Sequence, residues 1–140
     1  MMSLERRSFL KALSGPAASP GPSPAGAVER GLVLRFVNEC LGRGCLEAIP
    51  QLFDAAYRWH GAGRTLDFDA WRERLRQERA GAGGFRFTLQ ALHTWRGGAA
   101  WRWRLESDGT ALHGINIESI REGRFVETWS CVQPQAVESI

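Results

Sequence analysis

The hydrophobic pattern of this chain changes period once, near residue 85, and that change limits the architectures open to it. Upstream, Val28, Leu32, Val33, Phe36, Val37, Cys40 and Leu41 recur at helical spacing, with Arg35, Asn38 and Glu39 off the stripe. Gly42 and Gly44 end that helix. A short second helix is predicted over residues 46–53, where Pro50 is tolerable only in or near the first turn. Residues 55–60 read as a short strand and Gly61-Ala62-Gly63 as a loop. Asp67 could cap a third helix. Its buried face would be Phe68, Trp71 and Leu75, and its wet face Arg72, Arg76, Arg79, Glu73 and Glu78. Gly81, Gly83 and Gly84 end it.

Downstream the period is two. Phe85, Phe87, Leu89 and Ala91 alternate with Arg86, Thr88 and Gln90. Trp101, Trp103 and Leu105 alternate with Arg102, Arg104 and Glu106. His113, Ile115 and Ile117 alternate with Gly114, Asn116 and Glu118, and residues 125–133 form a final strand. Turns are predicted at Gly97-Gly98, Asp108-Gly109 and Glu122-Gly123. Helices first and a four-strand meander last is an α+β order, in which helices cover one face of a curved, mainly antiparallel sheet.

A length of 140 residues argues for one domain. Residues 14–27 are only Ser, Gly, Pro and Ala, a composition that cannot offset its ordering entropy. Residues 1–27 are therefore read as a leader and linker, and residues 28–137 as the folded domain. Within the leader, Arg6-Arg7-Ser8-Phe9-Leu10-Lys11 resembles a twin-arginine export motif. The apolar stretch that should follow it is interrupted by prolines, so a degenerate motif on a cytoplasmic protein is the favoured reading and export the alternative.

Charge and cysteine content exclude other classes. All basic residues but Lys11 are Arg, the net charge is only +3, and acids and bases are interspersed. A nucleic-acid binder would carry a denser basic stripe. No run of about eighteen apolar residues offers a membrane span. Cys40, Cys45 and Cys131 form no CxxC, and the three His residues show no ligand spacing, so neither a disulfide framework nor a metal site is expected.

Several stretches resemble one superfamily in order and spacing. Residues 34–49 hold Gly44-Cys45-Leu46-Glu47-Ala48, similar to a "Gly-Asp-Leu-Glu-Ala" helix end. Tyr57-Arg58-Trp59-His60-Gly61 is similar to a "Tyr-Val-x-His-Gly" strand end. Gly114-Ile115-Asn116-Ile117 and Arg121-Glu122-Gly123-Arg124-Phe125-Val126-Glu127-Thr128-Trp129 complete the set. Together they resemble SnoaL-like polyketide cyclases and ketosteroid-isomerase-like relatives of the nuclear transport factor 2-like fold, over about residues 30–134. The resemblance implies a cone whose mouth is an apolar pocket, no cofactor, and a homodimer formed through the outer sheet face.

The same resemblance nominates a site. His60 falls on a pocket position and, as an imidazole, could take a proton from a carbon acid; alternatively it hydrogen-bonds the Gly-rich loop. Asn116 stands where isomerase-like relatives carry an oxyanion-stabilising Asp, so it could polarise a carbonyl or satisfy buried backbone groups. Ser130 stands where cyclases carry a catalytic Asp, and Phe36 where isomerases carry a Tyr. His93 continues the Phe85–Ala91 face, near the edge of the cone. Trp71, Trp101 and Trp103 are read as core. Tyr57, Trp59 and Trp129, with Phe36, would wall a cavity for a hydrophobic, polycyclic ligand. The expected function is cyclase, isomerase or dehydratase chemistry on a polyketide-type or aromatic carbonyl compound through an enolate. The alternative is a non-catalytic binding domain, since two family acids are replaced by Asn116 and Ser130.

Overall fold

The computed structural model describes residues 24–81 and 85–134. The twin-arginine pattern and most of the expected leader lie outside the described residues. Among the described residues no helix is long and apolar enough to cross a membrane.

Helix α1, Ala27–Arg35, continues into π-helical turns over Phe36–Gly42. The wider ring closure is seen where the Arg43 N–H donates to the Asn38 carbonyl at 3.1 Å. Leu32, Val33, Phe36, Val37, Cys40 and Leu41 are buried, as the apolar stripe requires. Val28 begins that stripe in the sequence but is 65% exposed at the helix start. A 3-10 turn, Leu46–Ala48, leads into a single-turn helix α2, Ile49–Leu52, with Pro50 at its start. The second helix is thus shorter than expected, because Phe53 turns extended and opens strand β1, Phe53–Gly61.

Strand β2, Arg64–Asp67, hairpins back onto β1 and has no counterpart in the sequence reading. Its side chains are mostly exposed, so only backbone pairing marks it, and no alternating pattern advertises it. Helix α3, Phe68–Gly81, follows, and the Asp67 carboxylate accepts the Ala70 N–H at 2.9 Å as the expected cap. Trp71 is buried beneath it.

The meander is β3 (Arg86–Trp95), β4 (Gly98–Ser107), β5 (Thr110–Arg121) and β6 (Arg124–Pro134). Asp108-Gly109 and Glu122-Gly123 both have positive φ at each residue (51 and 78°, 53 and 75°), the mirror-image turn that matches strand twist. The sheet order is β2-β1-β6-β5-β4-β3, and β1 runs parallel to β6. The architecture is the expected α+β one, with three short helices against a mostly antiparallel sheet.

An irregularity alters the reading of β3. Its register with β4 shifts between Leu89 and Ala91, so one residue is added there. A one-residue addition exchanges the two faces. Leu92 therefore packs on the core, and His93 is exposed instead of continuing the Phe85–Leu89 face. Between sheet and helices, Phe53 centres an aromatic cluster, with ring centroids 4.5 Å from Trp71, 4.7 Å from Phe125 and 4.8 Å from Tyr57.

Candidate functional site

Alternation along three neighbouring strands divides the nominated residues between two faces. Tyr57 and Trp59 of β1, Asn116 and Glu118 of β5, and Thr128 and Ser130 of β6 point inward and line one cavity of about 410 Å³. Phe36, Phe53 and Phe125 form its apolar floor, and Trp101 and Trp103 of β4 form a wall. Arg74, Glu78, Phe85 and Val132 stand at its open end.

The polar centre of the cavity is Glu118, which is 4% exposed. Trp101 Nε1 donates to its Oε2 at 2.7 Å, and Thr128 Oγ1 donates to its Oε1. Tyr57 in turn donates to Thr128 Oγ1 at 2.6 Å. Beside it, Asn116 Oδ1 accepts from Trp103 Nε1 at 3.0 Å and from Ser130 Oγ at 2.9 Å. With its oxygen so engaged, the Asn116 amide nitrogen is the group left to hydrogen-bond the Glu118 carboxyl.

Two opposing effects act on Glu118. Burial disfavours the charged carboxylate, whereas the hydrogen bonds from Thr128, Trp101 and Asn116 favour it. Burial prevails, and the pKa rises from 4.5 to about 7. The group therefore exchanges a proton near neutral pH, as a general acid or base must. Burial, and then the charge of Glu118, push the Tyr57 hydroxyl well above its ordinary range, so Tyr57 stays a neutral donor.

His60 and Trp129 are not part of this cavity. The expectation that His60 shares it with Asn116, and that Trp129 walls it, is corrected by strand parity. His60 follows the inward Trp59, and Trp129 sits between the inward Thr128 and Ser130. Both face outward, where the two rings stack at 5.4 Å and 20° over an open groove with Ile115 and Ile117. His60 Nε2 lies 2.5 Å from Glu127 Oε2, and Nδ1 lies 2.9 Å from Thr65 Oγ1. These bonds are those of a strand-end histidine tied to its own surroundings. Ser130, Asn116, Tyr57, Trp59 and Phe36 do reach the one cavity.

Glu118, Thr128 and Arg74 are the residues the sequence reading passed over. Glu118 was within reach of it, since it shares the parity of Asn116 two residues earlier. Trp101 and Trp103 are buried, as expected of core residues, and their indole N–H groups also supply two of the bonds at the cavity centre. Among the described residues no group of three or more His, Cys, Asp or Glu side chains could hold a metal ion.

No protein-family model matches the chain, and no curated protein matches it in sequence. Solved structures do match its fold. A candidate ketosteroid isomerase from Kribbella flavida has a TM-score of 0.68 at 18% identity, over 82% of this chain and 84% of that one. A candidate SnoaL-like polyketide cyclase from Jannaschia has a TM-score of 0.69 at 11% identity, over 82% of this chain and 92% of that one. A nuclear transport factor 2-like protein of unknown function from Mesorhizobium loti has a TM-score of 0.69 at 22% identity, over 81% of this chain and 97% of that one.

Proposed function

From the nuclear transport factor 2-like fold that this chain has, we propose that it is a small-molecule enzyme acting on a polyketide-type or aromatic carbonyl compound through an enolate. The observation that carries this reading is Glu118, a buried carboxyl raised to about 7 inside an otherwise aromatic cavity. As carboxylate it takes the proton from the carbon α to the carbonyl. Ser130 and Asn116 stand beside it, and the Ser130 hydroxyl can turn from Asn116 to meet the enolate oxygen. Return of the proton from the Glu118 carboxyl at the same or a second carbon completes the cycle. Trp59, Trp101 and Trp103 hold the rings. Phe36 carries no hydroxyl and serves only as apolar floor.

The test uses β-tetralone, an aromatic ketone with acidic α-protons, followed by NMR in deuterated buffer. Wild type accelerates exchange with an inflection near pH 7, and Glu118→Gln abolishes the acceleration. Acceleration that survives Glu118→Gln sinks this assignment.

One observation favours the non-catalytic alternative. Each oxygen and nitrogen donor at the cavity centre already has a partner within the protein. A binding domain would show tryptophan quenching by aromatic ketones with no exchange.

The outer face of the sheet fits a second copy of the chain. Ile115, Ile117 and Trp129 are 51, 48 and 45% exposed there, an apolar group of the kind that monomers rarely leave open.

A further inference from the structure

Among the described residues, one cation lines the open end of the cavity, and its bonding is incomplete. Arg74 of α3 lines the cavity with its guanidinium carbon 4.9 Å from the centroid of the Trp59 ring. The ring face fixes the plane of the guanidinium without using any of its N–H donors. Its Nη1 is buried and, among the described residues, meets no hydrogen-bond acceptor. Its nearest carboxylate is Glu78, whose Oε1 lies 3.7 Å from Nε, beyond hydrogen-bond reach. Both side chains of that pair are well exposed, at 40 and 58%, so the attraction is screened and slight.

A covered guanidinium N–H without an acceptor is a standing cost, relieved when an oxygen arrives. The planar fork of Arg matches a carboxylate or phenolate better than any neutral group. At the buried end of the cavity, Glu118, Asn116, Thr128 and Ser130 bond to one another, to Tyr57 and to the two indoles. An anionic group on a ligand is repelled by the buried carboxylate of Glu118 and attracted by Arg74, whose charge the solvent-screened Glu78 offsets only slightly, so it settles at the mouth. The ligand's two ends are thus distinguished: an acidic end at Arg74 and a carbonyl end towards Glu118.

We infer that Arg74, braced on Trp59, binds an acidic oxygen of the ligand, so that this cavity takes aromatic acids in preference to their esters. This rests on the small-molecule reading of the cavity and adds the substrate class to it. Arg74 is a binding and orienting residue here, not a proton-transfer group.

The probes are naphthoate and its methyl ester, titrated against the intrinsic fluorescence of the cavity tryptophans. The wild-type protein is expected to bind the acid about tenfold more tightly than the ester, with only the acid weakened by added salt. Arg74→Gln should weaken the acid about tenfold and leave the ester unchanged, and Arg74→Lys should fall between. Thermal unfolding of each variant shows whether it is folded, and the wild-type comparison of acid, ester and salt stands without them. Equal binding of acid and ester, or equal loss of both in Arg74→Gln, overturns the role of Arg74 while leaving the cavity reading intact. Quenching by neither compound overturns both.

Discussion

Trp101 sits opposite Asn116 in the β4–β5 pairing, yet its indole N–H passes that partner and donates to Glu118, two residues along, at 2.7 Å. Trp103 repeats the offset, lying opposite Gly114 and donating to Asn116 at 3.0 Å. Two indoles on one strand thus hold two polar side chains on the next by the same diagonal. The pair of diagonals sets Glu118 and Asn116 side by side at the inner face and leaves the carboxyl buried but bonded.

Stability should report the buried carboxyl. The pKa of Glu118 in the folded state is about 7 against an ordinary 4.5. Between those values the folded protein keeps a proton that the unfolded chain has released. Its contribution is therefore fully present below about pH 4.5 and is lost as pH rises through about 7. The change across that window is on the order of 3 kcal/mol. Urea denaturation of Glu118→Gln should give a flatter curve of stability against pH, and a more stable protein than wild type above about pH 8. A curve parallel to the wild-type one would show that Glu118 ionises normally.

Gly114 should tolerate no side chain. A Cβ built there overlaps the Trp103 ring, which lies across the bare backbone of the neighbouring strand. Gly114→Ala is expected to cost about 1–3 kcal/mol by denaturant unfolding, the range for overpacking a filled interior. It should also change the tryptophan emission, because Trp103 must leave its bond to Asn116. Wild-type stability and emission in this variant would contradict the packing described.

The outer groove should be separable from the cavity. His60 bonds Glu127 and Thr65 on the far side of the sheet from Glu118. His60→Ala is expected to leave naphthoate binding and β-tetralone exchange within about twofold of wild type. A loss of exchange comparable to that of Glu118→Gln would return the histidine to the mechanism.

Association should follow the outer apolar face. Trp129 and Ile117 are about half exposed on adjacent strands and directly paired in register. Replacing Ile117 by Glu places a charge where a second copy would bury it, which costs far more in an interface than in water. Light scattering is expected to give a dimer for wild type and a monomer for Ile117→Glu, with cavity binding retained. A wild-type monomer at micromolar concentration would remove the dimer proposal.

Much of the site was present in the alternation. Asn116 and Glu118 share a parity, as do Tyr57 and Trp59, and Thr128 and Ser130. Applied to β1 and β6 as strictly as to β5, the rule separates His60 from Trp59 and Trp129 from Ser130. Similarity to family strand ends grouped them, because a motif match is blind to which side of a strand each residue takes. Arg74 had no such signal, and the parity of Thr128 did not show its partners. Thr128 matters through bonds to Glu118 and Tyr57 from other strands, and Arg74 through a helix brought against β1 by packing.

Local periodicity was enough for the order of the helices and of every strand but β2, for the capping Asp67 and for the two hairpin turns after Ser107 and Arg121. Each of these depends on residues a few positions apart, whose preferences act before the chain is folded. Long-range packing settled the rest. It ran β1 parallel to β6, added the polar strand β2, inserted the extra residue near Gln90 that turns His93 outward, and chose which face of the sheet closes on the helices. Alternation states that Asn116 and Ile117 lie on opposite faces; burial against Phe36, Phe53 and Phe125 makes the Asn116 face the inner one. Glu118 acquires its chemistry at the same moment, since a carboxyl loses water only when distant segments have covered it.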